Sequence, residues 1–165
     1  MTVQAAATAL APAAMGARVV ASVIDGIILW IVLSIVGGAL SDITIAGGFI
    51  RAIISAVVVF GYFASSWTAW RASPGQRVLG LMTVSEADGA ALTWNGAAIR
   101  FAYLFGPIVV YSLVNASQLG VLSFLAALVV LGYYIYLLYT AATDPKRQGF
   151  HDRQTGTLVA MRTAA

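Results

Sequence analysis

Arg18 and Asp25 lie seven residues apart in the apolar run GARVVASVIDGIILWIVLSIVGG, residues 16–38. On a helix that spacing puts them within about 20° of each other around the axis and about 10 Å apart along it. They share a face without touching. An ionised carboxylate well inside a span costs about 2.5–3.5 kcal/mol on insertion scales. Asp25 therefore needs a partner from another segment, and Arg100 and Arg153 are the natural candidates. Three uses fit a carboxylate placed this way. It pairs internally and fixes helix register, it binds a proton or cation, or it recognises a buried charge on a partner protein.

The remaining reactive side chains support little chemistry. His151, the single histidine, stands beside Asp152. One imidazole cannot build the histidine sets of zinc or copper centres, and neighbours in an extended segment point to opposite faces, so neither a metal site nor a catalytic dyad is expected. Ser22, Ser55 and Ser65 lie in apolar runs with no histidine at that depth to activate them, which leaves helix packing as their role. There is no cysteine, hence no disulfide and no thiolate. Tyr133, Tyr136 and Tyr139, with Trp67, Trp70 and Trp94, read as an aromatic belt at one membrane surface, and the spans offer no axial ligand for haem. The expectation is a protein that is not an enzyme and needs no cofactor.

The elements that carry these residues follow from hydropathy. The 165 residues are 61% hydrophobic and 9% charged, with a mean hydropathy of +0.90. That is too apolar for a water-soluble domain. Four runs, 19–40, 49–70, 99–116 and 119–142, are each long enough to cross about 30 Å of hydrocarbon. Residues 1–17 form a short tail, 71–97 a long loop and 143–165 a second tail, so the membrane unit covers 18–162. Eight of the nine basic residues fall at one side of these spans, which places that loop and both termini in the cytoplasm of a multi-pass plasma (inner) membrane protein. Arg51 is the exception, near enough to a helix end to snorkel outward, and the short outer loops carry only Asp42. The charge of +3 is thus topological, and nucleic acid is not an expected partner.

Two stretches sit against the cytoplasmic surface. In SPGQRVLGL, Pro74 and Gly75 stop a helix and leave Arg77 at headgroup level; in DPKRQGFHDRQTGTLV, Asp144-Pro145 does the same for Lys146, Arg147 and Arg153. Such a basic group sets topology or attracts anionic lipid headgroups at about 1 kcal/mol per residue. RVLGLMTVSEADGAALTW predicts a β-hairpin turning at Asp88-Gly89, with GTLVAMR as a third strand covering its edge. The fold class expected is an all-α membrane protein, four transmembrane helices carrying a small cytoplasmic β cap.

RVVASVIDGIIL, SPGQRVLGLMTV and KRQGFHDRQTGTLV, in that order, resemble the RDD family of small prokaryotic membrane proteins, which is named for one arginine and two aspartates. By motif Arg18 resembles the arginine, Asp25 the first aspartate and Asp152 the second; Gln76 stands where the family commonly has lysine. The resemblance runs from about Gly16 to Arg162. It implies that Asp152 returns to the membrane near Arg18, in a cluster with Asp25, Arg77, Arg100 and Arg153. For function it implies either an accessory or scaffold component of a larger membrane or transport system, with a membrane-protein partner or a second copy, or exchange of sodium, lithium or potassium for protons at Asp25. The accessory role is the expected one, because the outer half of the bundle lacks ionisable groups apart from Arg51 and so offers no path to the far side.

Overall fold

Backbone amides in lipid have no water to bond, so apolar runs of this length close their hydrogen bonds along a helix. The computed structural model describes residues 10–40 and 47–162. In chain order the elements are α1 Met15–Ala39, α2 Gly47–Ala69, α3 Pro74–Val78, β1 Leu81–Ser85, α4 Trp94–Ala116, α5 Gly120–Thr143, α6 Phe150–Gln154 and β2 Thr157–Met161. Helices α1, α2, α4 and α5 are long and apolar enough to cross a membrane, and the rest form a small cap at one end. The expected outer-loop residue Asp42 lies outside the described residues.

The centre of the bundle is the α2–α4 seam. Phe63 stacks on Phe105 with ring centroids 4.7 Å apart, and Phe60 meets Phe101 edge-on at 5.2 Å. Leu29 of α1 joins this cluster through the Ala21, Asp25, Leu29 face, spaced one helical turn apart. Trp67 belongs to the same core at 2% exposure, which corrects its placement in the surface belt. Helix α1 leans on α3 more than on α2 and scarcely meets α5. The bundle is therefore open between its first and last spans.

Pro107 lies inside α4. Without an N–H it cannot donate to the carbonyl four residues back, that of Tyr103. The Tyr133 hydroxyl, arriving from α5, donates to that same carbonyl, and Tyr134 donates to the next one, Leu104 O, at 2.9 Å. Tyr133 of the belt and its neighbour Tyr134 thus tie α5 to the proline turn of α4.

The cap departs from the expected hairpin. β1 pairs antiparallel with β2, from Leu81 opposite Met161 to Ser85 opposite Thr157, and residues 90–93 form no strand. The turn at Gly89 does form, with φ +70°. However, Thr93 caps α4 by accepting from Gly96 N at 3.1 Å, so the chain enters the helix at Trp94 before a second strand can extend. Arg100 consequently sits inside α4 and not at its entrance. β2 takes the vacant place beside β1, and its other edge is covered by residues 11–13: Ala13 N donates to Val159 O and Met161 N to Ala11 O, both at 2.9 Å. Ser73 and Gln76 form a capping box that starts α3 where a turn into strand was expected.

Replacing Tyr133 by Phe leaves the Tyr103 carbonyl unpaired in an apolar setting and should cost about 1–3 kcal/mol. Tyr134→Phe should cost less, because the Leu104 carbonyl keeps its helical donor. Thermal unfolding of the two variants in detergent checks the order.

Candidate functional site

Asp152 is fully buried, in the one-and-a-half turns of α6, and its two charged donors come from distant parts of the chain. Arg18 Nη2, at the start of α1, lies 2.5 Å from Oδ2. Arg100 Nη1, from α4, lies 2.5 Å from Oδ1. Gly149 N donates to Oδ2 at 3.0 Å and closes the first turn of α6. Arg18 also donates to the Arg147 carbonyl, and Arg100 to the Thr157 hydroxyl at the head of β2. The Arg100 guanidinium sits over the Trp67 ring, 5.1 Å from its centroid. One carboxylate therefore ties α1, α4, α6 and, through Arg100 and Thr157, β2.

Burial alone would raise the Asp152 carboxyl, but the guanidiniums of Arg100 and Arg18 outweigh it and hold the group well below the usual carboxylate range. His151 responds the opposite way. Burial pushes its imidazole down to about 3, and the Asp152 carboxylate does not offset this. The ring is neutral at pH 7, with Nε2 3.4 Å from Asp152 Oδ1. The two residues are neighbours on a helix, which corrects the extended segment expected here.

Asp25, 3% exposed, has no basic partner among the described residues. Its Oδ1 accepts from the Tyr62 hydroxyl and from Gly75 N, both at 2.7 Å, and its Oδ2 from the Ser73 hydroxyl at 2.5 Å. The amide and hydroxyl at the start of α3 take the place expected for Arg100 or Arg153. Only glycine allows this approach: a Cβ at Gly75 would stand 2.3 Å from the Ala21 carbonyl oxygen and 2.9 Å from the Asp25 carboxyl.

A family model matches residues 12–156 and is described as the RDD family. The chain belongs to the RDD family. No curated protein and no solved structure matches it. Of the three residues that resemble the family's motif, Arg18 pairs with Asp152, and Asp25 binds the SPG turn. Of the other basic residues expected in the cluster, Arg100 is at its centre. Arg77 is exposed and lies over Trp70, 5.0 Å from the ring centroid, and Arg153 is exposed on α6. Neither reaches a carboxylate of the pair.

Thr157, Tyr62 and Ser73 bond to Arg100 and Asp25 without having been expected to from the sequence. Only Ser73 carried a local signal, as the first residue of S-P-G-Q, whose Ser-x-x-Gln spacing marks a capping box. The polar shell outside the site is weaker. Gln148 donates to Glu86 at 2.8 Å and to Thr157 O at 2.9 Å, and Lys146 reaches Glu86 at 2.6 Å with most of its side chain exposed.

Gly75→Ala should destabilise the RDD fold by about 1–3 kcal/mol through overpacking, read as a lower melting temperature in detergent. A second expectation concerns pH. The unfolded chain protonates His151 below its ordinary pKa near 6.5 while the folded one does not until about 3. Stability should thus fall by about 1 kcal/mol per unit as pH drops through that window. The Asp152 contribution is lost in the same direction at still lower pH. Melting between pH 7.5 and 4.5 measures the slope, and His151→Gln should flatten it.

Proposed function

We propose that this integral membrane protein is a non-enzymatic accessory or scaffold component of a larger membrane or transport system. In this reading it lies in the plasma (inner) membrane with the cap and both termini in the cytoplasm. The observation that carries it is the complete occupation of both motif carboxylates by donors of the chain itself: Asp152 by Arg18, Arg100 and Gly149, Asp25 by Tyr62, Ser73 and Gly75. Charges spent in this way hold the cap on the bundle and define a rigid end for a partner to dock on. Orientation is supported by the position of Arg71, Arg77, Lys146, Arg147, Arg153 and Arg162 at the capped end. Those residues also suit that surface to anionic headgroups.

Cation/proton exchange at Asp25 is the second reading. In its favour, Asp25 and Ser73 line a cavity that continues into the bundle. An exchange site must release its ligands in each cycle, however, and Asp25 would have to break three short hydrogen bonds to do so. Two measurements decide between the readings. Inverted vesicles carrying the protein should show no sodium-stimulated proton movement, and mild-detergent purification after crosslinking in cells should recover one membrane protein, or a second copy, at a constant ratio. Proton movement that Asp25→Asn abolishes would establish the antiporter instead. A folded, monomeric and partnerless protein would sink the accessory role.

A further inference from the structure

Three large apolar side chains outside the spans are exposed at the capped end: Trp70 at 55%, Val78 at 71% and Met161 at 41%. Each is the sequence neighbour of an exposed arginine, in the pairs Trp70-Arg71, Arg77-Val78 and Met161-Arg162. The fold gathers these pairs around the start of β1. Thr83 N donates to the Arg71 carbonyl at 2.6 Å, Arg162 N donates to the Gly80 carbonyl at 2.7 Å, and Arg77 lies over the Trp70 ring. Among the described residues no carboxylate pairs with any of the three arginines. Glu86 is held by Lys146 and Gln148, while Asp88 and Asp144 accept from the amides of their own turns. An exposed apolar patch rimmed by charge of one sign marks an interaction surface.

The depth of the patch selects its partner. Gly75, at the head of α3, packs on the Ala21 carbonyl and donates to Asp25, and Leu79 and Leu81 join Ala17 and Ala21 in one cluster. The head of α3 therefore lies about 4–10 Å further along α1 than Arg18 does. A headgroup layer is itself only about 5–7 Å thick. The same turn of α1 exposes Val20 at 49%, so the patch continues a surface that already faces lipid. We propose that it binds anionic phospholipid of the surrounding leaflet, with the apolar side chains among the upper acyl carbons and the arginines on the lipid phosphates. This names the ligand of a surface read above as suited to anionic headgroups, and rests on that reading. Arg77 is the central ligand. Stacking on Trp70 occupies the face of its guanidinium and leaves the N–H edge free for a pair of phosphate oxygens. An indole is itself at home in that layer.

Trp70 reports on its own site. Two proteins are compared in phosphatidylcholine vesicles, one carrying Trp30→Phe and Trp94→Phe and the other Trp70→Phe and Trp94→Phe; the buried Trp67 gives both the same background. Brominated acyl chains quench tryptophan on contact. Brominated phosphatidylglycerol should quench Trp70 saturably, and brominated phosphatidylcholine only in proportion to its content. Trp30, exposed on its span, should not distinguish the two lipids. Arg77→Gln should raise the half-saturating content about fivefold, the worth of one arginine at an anionic surface. Arg153→Gln removes an equal charge on α6, which enters β2 at the end opposite Met161, and should leave that content unchanged. Equal loss in both variants, or quenching of Trp70 indifferent to the headgroup, overturns the proposal. Because the sequence has no cysteine, Arg77→Cys can also be crosslinked in cells at that position alone. Recovery of a protein or a second copy there, with no headgroup preference in vesicles, gives the patch to that protein instead. The vesicles hold no partner, so a missing headgroup preference leaves the accessory role standing, and a missing partner leaves the lipid site standing.

Discussion

Everything at the capped end depends on a single carboxylate held between two guanidiniums. Asp152 has no exposed surface, and an isolated charge in that position would cost several kcal/mol. What makes the burial tolerable is that Arg18, Arg100 and the Gly149 amide fill both of its oxygens, while Thr157, Trp67 and the Arg147 carbonyl engage the guanidiniums in turn. Removal of any one member exposes the others to an apolar surrounding, so the cluster behaves as one cooperative unit. Its members come from α1, α2, α4, α6 and β2, and the unit therefore fixes three of the four spans against the cap at this end.

The spans were readable because their signal is local and additive: about twenty apolar residues specify a helix in lipid whatever the rest of the chain does. The cap was harder to read because its signals compete. Asp88-Gly89 favours a hairpin, yet Thr93 four residues later favours a helix start, and a capped helix that continues as a membrane span outweighs a short second strand. Ser73-Pro74-Gly75-Gln76 presents the same conflict, a turn by its proline and glycine and a helix by its capping box. In both places the residues were legible and the winner was set by tertiary context.

The motif aspartates show the same limit. Sequence distance says that Arg18 and Asp25 share a face, and this tempts one to seek the balance of charge on Asp25. The balance lies with Asp152 instead, and Asp25 is satisfied by neutral donors whose geometry requires glycine at position 75. Nothing in residue type separates a carboxylate that pairs with arginine from one that caps a helix start; the decision rests on which chain segment returns to it. The neutrality of His151 is equally a property of burial, invisible in the chain.

The ion pair between Arg18 and Asp152 spans a sequence separation of 134 residues. A chain grown from its N-terminus at the usual rate makes Arg18 wait on the order of ten seconds for that carboxylate to be synthesised. All four spans precede Asp152, so insertion must be achieved without the cluster that later aligns them. β2 follows later still, and with it the bridge that binds residues 11–13 to the far end of the chain. A nascent or truncated chain thus carries an unpaired arginine at the membrane surface, and only a finished one conceals it. The pair that fastens the cap therefore forms only after the chain through Asp152 has been made, as the last long-range tie between the first span and the cap.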